Sequence, residues 1–264
     1  MTATGDPIVS PPPPEIPLKN PPLVRVIAQV RFPSVLSVET DKFVAPFQEA
    51  VRNSYQELRP EMVRDIRLAP DAAVREEHRN VWRFSSMPGG WRLSLAQNFL
   101  ALETTAYASR ADFFGRFEEA LVALAEHIKP AVIDRLGVRY IDRITGAALN
   151  DIAQLVRPEV RGIAGTEAAK HLQHSVCESR FIVDKAEAVT RWGQLPAHAT
   201  VDPAAVEPLS VPSWLLDVDM STSQRTPFSA QDTGARAREF AERIYTIFRW
   251  AVTDEFLKHF GGEP

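Results

Sequence analysis

The sequence predicts an α+β fold built on a mostly antiparallel sheet, and three observations carry that prediction. Apolar and polar residues alternate over several short runs, the first placing Val24, Val26, Ala28 and Val30 opposite Arg25, Ile27, Gln29 and Arg31. Turn formers rather than helices join many of these runs; Met87-Pro88-Gly89-Gly90 is the plainest, and a tight turn makes its two strands antiparallel. Apolar stripes at helical spacing are few, and the longest lies near the C-terminus.

The elements follow in order. Eight of the first 22 residues are proline, with Pro11 to Pro14 in a row. Such a stretch favours extended polyproline II and buries little, so residues 1–22 are expected to be a disordered tail, dispensable for folding. The alternative is a ligand for a proline-binding module. Residues 23–32 read as a half-buried strand. A helix is expected over Ala45–Leu58, with Pro46 in its first turn, where a missing N–H costs little. Asn80–Ser86, Trp91–Gln97 and Phe99–Tyr107 read as three strands. Ser109-Arg110-Ala111-Asp112 reads as a helix start, its stripe Phe113, Phe117, Leu121, Leu124 and Ile128 ending at Pro130. Residues 135–144 alternate again, so the first half is β-α-β-β-β-α-β.

The second half is strand-rich. A short helix is expected at Asp151–Val156 and strands at 174–183, 186–193, 197–201 and 211–220. A long helix from Ser229 or Asp232 to Phe260 closes the chain, with Gly261-Gly262 as its stop. Residues 23–264 are expected to form one α+β domain, with two lobes, 23–148 and 149–264, as the alternative division.

Composition narrows the function classes. The 264 residues are 45% hydrophobic and 24% charged, ordinary for a globular chain with a sizeable core. Net charge is −4, so no global basic field favours nucleic acid or an anionic membrane. Cys177 is the only cysteine, which rules out an intramolecular disulfide. No apolar run is long enough for a membrane span, and Met1–Asp6 lacks the basic and apolar regions of a secretory signal. A cytoplasmic location is the expectation.

Several constellations are candidate sites. In Leu215-Leu216-Asp217-Val218-Asp219, strand alternation puts Asp217 and Asp219 on one face, where two carboxylates can hold a divalent cation. The segment looks like the nucleophile strand of haloacid-dehalogenase-type phosphatases. Those enzymes need a parallel sheet and a long downstream sequence, and only 43 residues follow Ser221. The plainer reading is a strand face paired with arginines. Arg135, Arg139 and Arg143 share a face by the same alternation, as do Arg25, Gln29 and Arg31. Together they are candidates for binding phosphate or carboxylate, or for ion pairs with Glu103, Asp217 and Asp219. Glu167, His171, His174 and Cys177 would make a metal set if they sat on one helix. No glycine-rich phosphate loop and no Gly-x-Ser-x-Gly elbow is present.

Five segments carry a resemblance: Leu23–Pro33, Leu102–Tyr107, Arg135–Arg143, Arg191-Trp192-Gly193-Gln194-Leu195-Pro196, and Ser213-Trp214-Leu215-Leu216-Asp217-Val218-Asp219. On these the chain resembles a sporadically distributed bacterial family of uncharacterised proteins, over most of residues 21–260. The resemblance implies a bacterial cytoplasmic protein of patchy occurrence and brings no catalytic residues. The leading expectation is a non-catalytic binding or adaptor protein with a protein partner. A tie to mobile or defence-type gene clusters rests on the patchy occurrence alone. The first alternative is a metal-dependent hydrolase or phosphodiesterase using Asp217, Asp219 and Glu103, with Arg139 holding a phosphate. The second is a small-ligand carrier. No cofactor is expected, and the sequence does not fix an oligomeric state.

Overall fold

The computed structural model describes residues 5–68 and 74–264, with the side chains of 64–68 and 74–79 excepted. The fold is α+β, and a large, mostly antiparallel sheet dominates it. The strands are β1 (Leu23–Arg31), β2 (Glu57–Leu68), β3 (Val74–Ser85), β4 (Trp91–Ala96), β5 (Phe99–Thr104), β6 (Val132–Ile133), β7 (Arg135–Ile144), β8 (Ser175–Val183), β9 (Ala186–Leu195), β10 (Ser213–Thr222) and β11 (Thr226–Pro227). The nine-stranded sheet has the hydrogen-bonded order β2-β3-β4-β5-β1-β7-β10-β9-β8, and β6 pairs with β11 apart from it. The longer helices are α1 (Asp41–Val51), α2 (Arg110–Ala123) and, after three single turns α3 (Ala147–Asn150), α4 (Ile152–Leu155) and α5 (Pro158–Arg161), α6 (Ala230–Ala251) and α7 (Asp254–His259).

The chain forms two compact units that are not sequential lobes. One comprises residues 1–26, 138–222 and 238–264; the other comprises 27–137 and 223–237. Three of the four crossings fall inside β1, β7 and α6 and the fourth directly after β10, so no single cut near residue 148 separates them. The second unit holds the β2-β3-β4-β5 meander with α1 and α2. Its core is aromatic and aliphatic: Phe47, Phe84, Phe113, Phe114, Phe117, Leu93, Leu95, Leu100 and Leu102 are all fully buried. Ser109 caps α2 by accepting from the Asp112 amide. The Arg116 guanidinium lies 4.5 Å from the centre of the Trp91 ring and is held by Asp112 at 3.0 Å.

Three sequence expectations need correction here. Helix α1 starts at Asp41, not Ala45, so Pro46 sits inside the helix rather than in its first turn. An additional strand, β2, precedes β3 and pairs with it from Glu57↔Ser85 to Leu68↔Val74. Glu57-Leu58-Arg59-Pro60-Glu61 is charged and carries a proline, which hides a strand in the sequence. As an edge strand, β2 tolerates both. The expected strand at 197–201 is a loop.

The first unit is built on β7, β10, β9, β8 and the C-terminal helices. Trp214, Leu216, Val218 and Met220 alternate with Leu215 and Asp217 along β10 and all are buried. Phe240, Ile244, Ile247, Phe256 and Leu257 supply the buried helical residues. The long closing helix is interrupted after Ala251. The Thr253 amide donates to Leu155 C=O and the Arg157 amide to Ala251 C=O, and the Thr253 hydroxyl then caps α7. Gly261, with φ of 80°, ends the chain's last helix as expected of a glycine stop.

Residues 5–22 are not a free tail. The Arg243 guanidinium donates to the carbonyls of Pro7 and Ser10. The Tyr245 hydroxyl donates to Pro14 C=O at 3.2 Å and accepts from the Ile16 amide at 2.8 Å. The Asn20 amide donates to Phe260 C=O. A proline run offers unpaired carbonyls at regular intervals, and a helix face with Arg243, Tyr245 and Arg249 satisfies them. Proline count alone gives no sign of such a surface elsewhere in the chain.

Deleting residues 1–20 is therefore expected to lower the melting temperature by several degrees rather than leave it unchanged. Tyr245→Phe in the full chain removes the hydroxyl alone, which is worth about 1 kcal/mol and about 2–4 °C. Thermal unfolding by circular dichroism measures both.

Candidate functional site

Two of the sequence-predicted residues, Asp217 and Arg139, meet in the first unit within a row of alternating charges. The register supplies the alignment. Strands β8 and β9 are joined by Asp184 and Lys185, both at positive φ, the two-residue turn that matches strand twist. Counting back from that turn sets Glu178 opposite Arg191. The β9–β10 register then sets Arg191 opposite Asp217. Arg191 donates through Nε to Glu178 Oε2 at 2.7 Å and through Nη1 to Asp217 Oδ2 at 3.3 Å. On β7, Arg139 donates through Nε to Asp217 Oδ1 at 2.8 Å and through Nη2 to Oδ2 at 2.7 Å. Its remaining nitrogen, Nη1, reaches Asp202 Oδ2 at 2.7 Å. The sequence of charges is thus Glu178, Arg191, Asp217, Arg139, Asp202, strictly alternating in sign.

Burial grades along this row. Asp217 is fully buried, Arg139 nearly so, and Glu178 is exposed. A buried carboxylate needs its lone pairs filled, and here both Asp217 oxygens accept from guanidinium groups in fork-to-fork geometry. For Arg139, burial works against the charge, but the hydrogen bonds and charges of Asp217 and Asp202 outweigh it and raise its pKa. Burial also works to raise Asp202, yet Arg139 and the Ala204 amide hold its carboxyl below the ordinary range. The arrangement neutralises carboxylates rather than exposing them to a cation.

The loop 196–212 is fastened over the same arginines. Asp202 caps its own turn by accepting from the Ala204 amide, and the Thr200 hydroxyl donates to Val206 C=O. Arg143, buried, donates to the Ser213 hydroxyl at 2.9 Å and to the Glu207 carbonyl. Burial among neutral acceptors lowers its pKa. Arg25 donates to Ala204 C=O and lies 3.8 Å from the Glu207 carboxylate. Arg139, Arg143 and Arg25 therefore clamp one loop rather than line an open basic patch.

The other sequence candidates are placed elsewhere. Asp219 is half-buried opposite Val189, one step along β10 from the paired Asp217. Arg135 folds over Gly137, so that its guanidinium lies where a Cβ at that position would stand. Arg31 donates to the Gln29 side chain, and Glu103 accepts from Arg92 at 2.5 Å on the β4–β5 pair of the second unit. Glu167 and His171 lie on an exposed 3-10 turn, while Cys177 is on β8, so the four residues do not share a helix. His174 is exposed between them. Among the described residues no three His, Cys, Asp or Glu side chains gather to hold a metal ion.

Two residues of the row were missed in the sequence although a signal was available. Glu178 and Arg191 are equidistant from the Asp184-Lys185 turn, so a hairpin reading pairs them. Asp202 has no such signal, because loop 196–212 has no period. The Arg-Trp-Gly-x-Leu-Pro segment gains a structural account as well. Arg191 carries the row, Gln194 donates to Leu172 C=O, and Gly193, with φ of 145°, lets the Ser175 carbonyl pass where any Cβ would collide.

Asp142, on β7, has its carboxyl displaced upward. Burial, reinforced by the negative Asp217, moves its pKa from the ordinary 3.8 to about 7. The folded protein thus holds this proton more tightly than the unfolded chain. The resulting stability is complete below about pH 3.8 and is lost as the pH rises through about 7.

Comparison of the chain with protein-family models and with curated proteins gives no match. No helix among the described residues is long and apolar enough to cross a membrane.

Asp217→Ala is expected to destabilise the fold by about 3 kcal/mol, because it leaves buried Arg139 half-paired. Added magnesium, manganese or EDTA should leave the wild-type melting temperature unchanged. A metal-dependent rise lost in Asp217→Ala would reverse that assignment. Asp142→Asn fixes the neutral state, so its stability advantage over wild type should be larger at pH 8 than at pH 5, as thermal melts at the two pH values will read.

Proposed function

We propose that the protein is a protein-binding module that recognises its partner by strand addition at β8. The carrying observation is the state of that strand. β8 ends the nine-stranded sheet, and β9 is its neighbour on one side. Cys177, Glu178, Arg180 and Ile182 are exposed, and Ile182 keeps 77% of its surface. A nine-residue strand without proline or glycine, at a sheet edge, presents a row of unpaired backbone groups, and proteins usually blunt such edges. Strand addition uses those groups for affinity and the alternating side chains for selectivity.

The charge row supports the same reading. It fixes β8 to the core through Glu178 and Arg191, so the edge is held in one register before any partner arrives. Rigid presentation lowers the ordering cost of binding. The bacterial origin and the link to particular gene clusters rest on the sequence resemblance.

Arg180→Pro tests the reading. Arg180 alternates with Ser179, whose carbonyl faces β9 and accepts from the Thr190 hydroxyl. The Arg180 N–H therefore points away from β9, and the substitution blocks the edge without removing a bond of the β8–β9 ladder. Proteins retained by the immobilised wild type should be lost from Arg180→Pro while its circular dichroism is unchanged. Retention of the same proteins by both forms would place recognition elsewhere.

A further inference from the structure

We infer that the strand added to β8 is β8 of a second copy of this chain, paired antiparallel about Ser179; this rests on the edge reading above and names its partner. The phase of the strand comes first. The Asp184-Lys185 turn, with φ of 45° and 65°, makes Val183 and Ala186 a pair that exchanges both backbone bonds. Alternation then turns the N–H and C=O of Phe181, Ser179, Cys177 and Ser175 toward β9. The same groups of Ile182, Arg180, Glu178 and Val176 point out of the sheet.

The side chains are symmetric about Ser179. In an antiparallel pairing of two copies with Ser179 opposite itself, Glu178 stands opposite Arg180 of the other copy, and Val176 opposite Ile182. On the other face Cys177 meets Phe181, and Ser175 meets Val183. Each outward-pointing residue is thereby matched with another outward-pointing residue, so the two edges exchange backbone bonds at all four positions. The two charges attract in both directions across the axis. A strand bearing one sign of charge at 178 and 180 would repel its own copy, whereas this one does not. Within one chain Arg180 already bonds Glu178 at 3.4 Å and Glu187 at 2.9 Å on the exposed surface. A second copy would extend that network rather than break it. Ile182, exposed in the single chain, would gain an apolar partner in Val176.

Ser179 on the axis would be a pair without direct backbone bonds to each other, the closer of the two spacings, at about 4.5 Å between Cα atoms. That distance is within disulfide reach.

The test uses the full chain. Light scattering after size exclusion should give a dimer for wild type, and Arg180→Pro and Arg180→Glu should shift it to monomer at the same concentration. In a Cys177→Ser background, Ser179→Cys should form a covalent dimer on oxidation with diamide, while Ile182→Cys in the same background should not. Monomeric wild type at the highest attainable concentration overturns self-pairing. So does a dimer indifferent to Arg180→Pro, or a dimer in which Ser179→Cys fails to cross-link. If wild type is monomeric yet retains proteins that Arg180→Pro loses, self-pairing falls while strand addition to another protein stands. If it is monomeric and both forms retain the same proteins, both readings fall.

Discussion

The first unit depends on one buried ion pair, the bidentate contact between Arg139 and Asp217. Taking a carboxylate and a guanidinium out of water is costly, and the cost is offset only where geometry is good and the remaining hydrogen-bonding groups are satisfied. Here Asp217 is filled on both oxygens, and Arg139 uses a further nitrogen on Asp202. Such a pair contributes less to net stability than an apolar pair of the same volume. It contributes to uniqueness, because shifting β9 or β10 by one residue would turn Arg191 or Asp217 to the other face and leave a buried charge alone. The register of three strands is thus tied to one carboxylate, Asp217, through Arg139 on β7 and Arg191 on β9.

From that contact the charges run in two directions. Toward the loop, Asp202 anchors residues 196–212, which Arg143 and Arg25 hold at further points. Toward the edge, Arg191 and Glu178 carry the alternation out to β8. The loop end is held by hydrogen bonds from Arg139, Arg143 and Arg25, and the edge end is exposed. The edge strand is thereby braced from the core by electrostatics as well as by its backbone ladder. Of the arginines that looked like a phosphate site in the sequence, Arg139 carries the row, while Arg143 and Arg25 hold the loop.

The N-terminal segment follows the same economy of polar groups. Prolines cannot donate, and their carbonyls accept from side chains or from water. Arg243, Tyr245 and Arg249 on α6 supply the donors, so a segment that reads as a spacer becomes a strap along the C-terminal helix. Ile16 and Leu18 lie where an added Cβ at Gly262 would touch them, which ties the strap to the helix end as well.

The sequence by itself determined the α+β class, most strands of the meander, strands β8 and β9 and the closing helix. These rest on local signals: period-two alternation, turn residues and an apolar stripe. It also offered an arginine partner for Asp217 as the plainer of two readings, beside a divalent cation. The tertiary structure decided the rest. Strand β2 is legible only as an edge, where charge and Pro60 are tolerated. The partition into two interleaved units depends on which strands neighbour one another, and no local period encodes that. Asp202 joins the charge row from a loop with no pattern, and Glu103 goes to Arg92 instead. The prolines of residues 5–22 specify an extended chain, but the helix face that receives them is more than two hundred residues away. Local chemistry sets what each segment can form; which unsatisfied groups meet is settled only when distant segments are brought together.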